Sequence, residues 1–499
     1  MVIEDVKPQI DCGRHPVKRI VGETCQVTAR VYKDGHDLLA ARLLVREPDA
    51  RSWRVLPMTY DINFDSFSGS FALERIGRWT FTVEACPDPF ATWRDELQKK
   101  LEAGLDVSLE LLEGAAIVRD AARRVRGKTA ERLSATAEFL ADEATDLRQR
   151  ARAALDPDLA QTVPHCFDRG SMARYERNMD IIVDRELARF GAWYEMFPRS
   201  QSGKPGVHGT FKNAARELER LAALGFDVVY LPPIHPVGRT KRKGRNNSLT
   251  ARADDPGSPW AIGNEHGGHT AVEPQLGTLA DFERFVQATR ELEMEVALDY
   301  ALQCSPDHPW VEEHPDWFTQ RPDGSIKHAE NPPKKYEDIV PLDFGCEDWR
   351  SLWEACRDIV IFWIERGVRV FRVDNPHTKP FAFWDWLIRD VQSDHPDVIF
   401  LAEAFTRPSR MMGLAKLGFT QSYTYFTWRN SAHELRDYML ELTGTEMAEY
   451  FRPNFFANTP DILTEYLQTG GRPAFLVRLL LAATLSPIYG IYSGFELCE

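Results

Sequence analysis

A chain of 499 residues with 43% hydrophobic and 27% charged residues has the composition of a soluble globular protein and room for two or more domains. Its formal net charge of -14 makes nucleic acid and anionic membranes poor partners. The eight cysteines show no CxxC pair or metal-ligand spacing, which fits a reducing cytosol better than a disulfide scaffold.

The opening, MVIEDVKPQID, has neither the basic nor the apolar region of a signal peptide. No apolar run approaches the roughly 18 residues of a membrane helix. These features predict a cytoplasmic protein without a membrane partner. From residue 1 to 95, stretches such as TCQVTARVYK, LLAARLLVRE, GSFALE and GRWTFTVEA alternate or are β-branched and are broken by Gly, Asp and Pro, which predicts a small β-sandwich. Residues 96–164 change to charged, Ala/Leu-rich sequence with apolar positions every three or four residues, a helical bundle. Strand character returns over 165–190, so the helices are read as an insert in the sandwich.

From 191 to 499 strands and helices alternate. AWYEMFPRS, FDVVYLPPIHPVG, EVALDYAL, VRVFRVDN, VIFLAEAF, SYTYF, PNFFAN and PIYGIYSG are eight strand candidates, most of them separated by amphipathic helices. The whole is multidomain α/β, with a (β/α)8 TIM barrel behind the sandwich. Irregular insertions at about 239–272 and 303–345 should lie on the C-terminal rim, where barrel enzymes carry their sites.

Four acidic residues, Asp299, Asp374, Glu403 and Asp461, stand at or just beyond the ends of predicted strands. Singly, each reads more readily as a turn former or helix cap. Together they are carboxylates kept on apolar strands, where burial is costly without partners. Arg372 is one such partner, because residues i and i+2 of a strand face the same way. Two carboxyls facing a cleft about 5–5.5 Å apart can perform retaining glycoside chemistry. Beside Arg372, Asp374 should stay ionised as nucleophile. The apolar surroundings of Glu403 should keep it protonated as general acid.

The stretches GVRVFRVDNPH, FLAEAF, LDYALQCSPDHPW and NFFANTPD resemble the α-amylase clan, glycoside hydrolase family 13. Three departures narrow this: Gln303 and Cys304 where the common pattern has Asn and His, Asn375-Pro376 after the nucleophile position, and Asn458-Thr459-Pro460-Asp461 where the last carboxylate usually sits in Asn-His-Asp. With NPPKKYEDI, SPWAIGNEHGGH and NFDSFSGSF they resemble the α-1,4-glucan:maltose-1-phosphate maltosyltransferases over essentially the whole chain.

That resemblance implies Asp374 as nucleophile, Glu403 as acid/base, Asp461 as transition-state stabiliser and Arg372 orienting Asp374. It implies Asn375, Asn331, Tyr336 and Ser258 around the phosphate of α-maltose 1-phosphate. Lys243, Asn247 and Gln303 would hold the glucosyl units. It further implies transfer to an α-1,4-glucan with release of phosphate, glycogen biosynthesis, a homodimer and no cofactor. The family continues with a last barrel helix and a C-terminal β-domain, so a chain ending at SPIYGIYSGFELCE is expected to be shortened.

Read without the resemblance, GRTKRKGRNN is a solvated basic loop, Asn375 a strand-end cap, and Asp254 and Asp255 too weak a signal for calcium. An ordinary hydrolase or transglycosidase of the clan, and a non-catalytic glucan binder, are the competing readings.

Overall fold

Alternation along the strands decides what faces inward. In strand Thr24–Tyr32, Cys25, Val27, Ala29 and Val31 are buried while the intervening residues are more exposed, the period of a half-buried antiparallel strand. The computed structural model describes residues 1–163 and 172–499. These form two compact units, Met1–Ile182 and Val183–Glu499.

The first unit carries two sheets. One pairs Val2–Lys7, Thr24–Tyr32, Ser66–Ala72 and Thr59–Asp61 in that order. In the other, Gly77–Pro87 runs antiparallel to Leu39–Arg46 from Leu39↔Pro87 to Arg46↔Thr80. Phe71 of the first sheet stacks on Trp79 of the second at 5.9 Å, which marks the core between them.

The helices begin at Pro89, earlier than the change in composition suggests. The Asp88 carboxylate accepts from Ala91 N and Pro89 takes the first helical position, so the cap and not the Ala/Leu texture sets the boundary. Five helices, Pro89–Glu102, Ser108–Arg124, Lys128–Ala141, Leu147–Ala154 and Pro157–Thr162, bury one apolar cluster that includes Trp93, Leu111, Val118, Leu133 and Leu140. The expected return to the sandwich at 165 begins within 164–171, outside the described residues; beyond it Met179–Asp184 pairs into the second sheet.

Gly114 fixes the depth of the Trp93 seat. A Cβ there would lie 1.9 Å from Trp93 Cζ2, and the indole is anchored by donation to Glu110 O at 2.6 Å. Gly114→Ala is therefore expected to lose about 1–3 kcal/mol through overpacking, although alanine gains up to about 1 kcal/mol of helix propensity. Urea denaturation should show a lowered midpoint; a raised one would mean that the indole relaxes freely.

In the second unit eight parallel strands close into a barrel: Gly191–Glu195, Val228–Leu231, Glu295–Tyr300, Val370–Asp374, Ile399–Glu403, Gln421–Tyr423, Pro453–Phe456 and Ile488–Tyr492. All eight strand candidates take part. Trp193, Val228, Tyr230, Ala297, Val370, Ile399, Leu401, Tyr423, Phe456 and Ile488 fill the interior. Their alternates, among them Tyr194, Val229, Leu298, Phe371 and Phe400, pack outward into the larger cluster that includes residues of the surrounding helices. The same alternation turns Asp299, Arg372, Asp374 and Glu403 into the barrel mouth.

Helices Leu279–Glu291 and Ala432–Gly444 start with capping boxes at Thr278/Asp281 and Ser431/Glu434. The second rim insertion contains a short hairpin, Ala329–Asn331 paired with Lys334–Tyr336.

Candidate active site

Register places the charged strand ends side by side. Asp299 lies opposite Arg372, and Asp374 opposite Glu403. Arg372 Nη1 donates to Asp299 Oδ2 and to Asp374 Oδ1, both at 2.8 Å, and its Nη2 lies 3.4 Å from Glu403 Oε1. One guanidinium, with its side chain only 7% exposed, thus serves three carboxyls from three consecutive strands. Tyr230 and Tyr423 present their rings to it at 5.7 and 5.8 Å. Asp299 Oδ2 also accepts from Tyr230 OH at 2.5 Å and from Trp260 Nε1 at 3.3 Å.

The carboxyls outnumber the guanidinium, and burial decides which keep protons. Desolvation pushes Glu403 up to about 8; Arg372 opposes this and Asp374 adds to it. Asp299 rises to about 7 by the same burial, again against Arg372. Glu195, fully buried on the first barrel strand, is raised well above the carboxylate range by desolvation. A site that sets Glu403 apart as a proton-bearing acid beside a carboxylate bonded to arginine has the division of labour that acid/base and nucleophile require.

The turn after Asp374 adds donors. Asn375 is left-handed, with φ 43. Its N–H donates to Glu403 Oε2 at 3.2 Å and its side-chain amide to Asp374 Oδ2 at 3.3 Å. Gln303 Nε2 approaches the same Asp374 oxygen at 3.5 Å. Arg372, Asp374, Glu403, Asn375 and Gln303 therefore form one connected group.

The other expected residues stand further out. Asp461 stands on the turn beyond the seventh barrel strand with much of its surface open to solvent; crowding of its carboxyl at the barrel mouth raises its pKa, Arg372 opposes this and Asp374 adds to it. Lys243 is buried and lies 6.0 Å from the Tyr336 ring. Asn331 and Tyr336 occupy the two strands of the rim hairpin. Ser258 is half-buried, and Asn247 is exposed in a left-handed turn.

The basic stretch is exposed over most of its length, with Arg242 and Lys243 turned inward. Arg242 donates to the carbonyls of Gly238, Val237 and Asp255, and Arg245 Nε pairs with Asp255 at 3.1 Å. Asp255 serves the loop's own arginine. A separate cavity of about 1060 Å³ on this side of the barrel is lined by Phe197, Arg199, Arg242, Asp255 and Glu273 among others, and none of the clustered carboxyls lines it.

Sequence reasoning did not mark Glu195, Tyr230, Trp260, Asp338 or Lys379. The glutamate in AWYEMF carried a signal, a charge within a buried strand. Asp338, whose buried carboxyl is raised by desolvation and drawn down by Lys243, did not.

Among the described residues His269, Cys304 and His308 bring metal-type ligand atoms within 4.8 Å of one another. Their hydrogen bonds account for both rings without an ion. His269 Nε2 donates to Ala301 O at 2.9 Å, which leaves Nδ1 to accept from His308 Nε2 at 3.1 Å; His308 Nδ1 then accepts from Trp310 N at 3.1 Å. Burial lowers both pKa values, that of His308 to about 3, so the rings are neutral and the chain of donors is complete.

Comparison with known proteins adds to this geometry. Residues 1–185 match a family model described as α-1,4-glucan:maltose-1-phosphate maltosyltransferase, domain N/S. A relative from Myxococcus xanthus called α-1,4-glucan:maltose-1-phosphate maltosyltransferase is 53% identical over all of this chain and 76% of its own length. One of the same name from Chlorobaculum tepidum is 51% identical over all of this chain and 74% of its own. Among solved structures, the α-glucosyl transfer enzyme XgtA matches at 21% identity and a TM-score of 0.50, covering 63% of this chain and 69% of that one, which supports the barrel fold.

Proposed function

The chain belongs to the α-1,4-glucan:maltose-1-phosphate maltosyltransferase family, and from that premise we propose that it transfers maltosyl units from α-maltose 1-phosphate to the non-reducing ends of α-1,4-glucans, releasing phosphate. The observation that carries the chemistry is the adjacent pair Asp374 and Glu403, one bonded to Arg372 and the other pushed toward its protonated form.

In this reading Asp374 attacks the anomeric carbon of the donor, the bond to the phosphate oxygen breaks, and a β-maltosyl-enzyme forms. Glu403 protonates or hydrogen-bonds the leaving oxygen. It then takes the proton of the acceptor's 4-hydroxyl as that oxygen displaces Asp374, and the second inversion restores the α-linkage. Arg372 orients Asp374, and Asp461 steadies the distorted sugar. Asn375, already donating to both carboxyls, faces the leaving group with Asn331, Tyr336 and Ser258. Lys243, Asn247 and Gln303 hold the glucosyl units.

Glycogen or related α-glucan synthesis is the process such a reaction serves, in the cytoplasm and as a homodimer. No helix of the described residues is long and apolar enough to cross a membrane.

Incubation with α-maltose 1-phosphate and a short malto-oligosaccharide tests the reading. Phosphate should appear while chains lengthen by two glucose units. Shortening or disproportionation of glucans without the phosphate donor would replace it with an ordinary amylase-clan activity.

A further inference from the structure

We propose that Lys379 is a positioning residue for the nucleophile, bracing from behind the left-handed turn at Asn375; this rests on the roles assigned to Asp374 and Glu403 above. A left-handed conformation is tolerated by asparagine better than by most residues, yet it still needs holding. It points the N–H of Asn375 at Glu403 and its amide at Asp374. The carbonyls of Asp374 and Asn375 meet Lys379 Nζ, at 3.5 and 3.4 Å. The turn Pro376–Thr378 brings the lysine back to them, with Thr378 Oγ1 donating to Asn375 O at 2.8 Å and Trp384 Nε1 to Pro376 O at 2.9 Å.

Contacts of 3.4–3.5 Å exceed the roughly 2.7–3.2 Å of a good N–H···O bond, so the ammonium acts mainly as a charge. Its surroundings show where that charge is felt. Lys379 is half-buried, desolvation lowers its pKa, and the groups that oppose this most are Asp374 and Glu403, followed by Cys356 and Asp299. Among the described residues its hydrogen-bond partners are the two carbonyls of the turn. Arg372 supports the carboxyls from within the barrel mouth, and Lys379 supports the loop that follows the nucleophile.

The test uses the full chain and 2-deoxy-2-fluoro-α-maltosyl fluoride. Its C1–F bond breaks, with fluoride leaving on the electron pair, as an Asp374 oxygen bonds C1; labelling is followed by mass spectrometry. Lys379→Met should lower the saturating labelling rate about 10–100-fold, the cost of a misplaced reacting group, with the concentration for half-saturation little changed. Lys379→Arg, which keeps the charge, should recover most of the rate. If Lys379→Met does not fold, Lys379→Gln is read in its place. A wild-type rate in the neutral variant, or an arginine variant as slow as the neutral one, would overturn the proposal, as would failure of Asp374 to label in the wild type. Labelling without phosphate release from α-maltose 1-phosphate would reject the donor and leave the comparison of Lys379 variants intact.

Discussion

Asp374→Ala will form no covalent maltosyl-enzyme and will lose phosphate release by on the order of 10⁵-fold, the scale at which a nucleophile is missed. Glu403→Ala will still load the sugar and then stall. The difference follows from the leaving group. In the proposed mechanism phosphate departs without much proton assistance, so the first step would lean on Asp374 and the second, which must deprotonate a sugar hydroxyl, on Glu403. Mass spectrometry should find the intermediate on the Glu403 variant alone. Equal loss of the first step in both variants would contradict these roles.

The pH dependence carries the same signature. With Glu403 pushed up to about 8, its acid form is present below that pH and is lost as pH rises through it. A donor with a poor leaving group should therefore slow above about pH 8, while the phosphate donor should lose less of its first-step rate.

Arg372→Met is expected to cost about 3–5 kcal/mol of stability, the usual consequence of removing one partner from a buried ionic group. The methionine fills part of the space but leaves Asp299, Asp374 and Glu403 without their guanidinium. The loss should grow with pH. Asp299 and Glu403 already have folded-state pKa values above those of free carboxyls, at about 7 and about 8, and without Arg372 they rise further. Below about pH 7 both folded proteins hold these protons, but as pH rises through about 7 and about 8 the wild type releases them while the variant's folded state still holds them, so the gap between the two widens there. Thermal melts at pH 5 and pH 8 separate this from lost packing, which would lower both equally.

Much of this site was legible because its chemistry is local. Arg372 and Asp374 sit two apart on an apolar strand, and FLAEAF announces a glutamate among apolar residues. The pairing of Asp299 with Arg372 was not legible, because it depends on the register between separate strands. Lys379 was hidden for a related reason: the turn that returns it to Asp374 follows from the left-handed backbone at Asn375. In the fold, the eight strand candidates all entered the barrel because their apolar runs are bounded by turn residues. The start of the helical insert was misplaced because a single cap, Asp88, outweighed the texture around it. Within the largely exposed basic rim stretch, the inward turn of Arg242 was not legible, because its acceptors are backbone carbonyls, which carry no sequence signal.

The guanidinium shared by three consecutive strands also acts as a proofreader of assembly. If any of those strands paired one residue out of step, its carboxyl would swing toward the apolar helix layer and its neighbour would lose its counter-ion. Only the correctly threaded barrel sets these carboxyls around their shared guanidinium, so the arrangement that equips the enzyme to react also penalises chains that have closed wrongly.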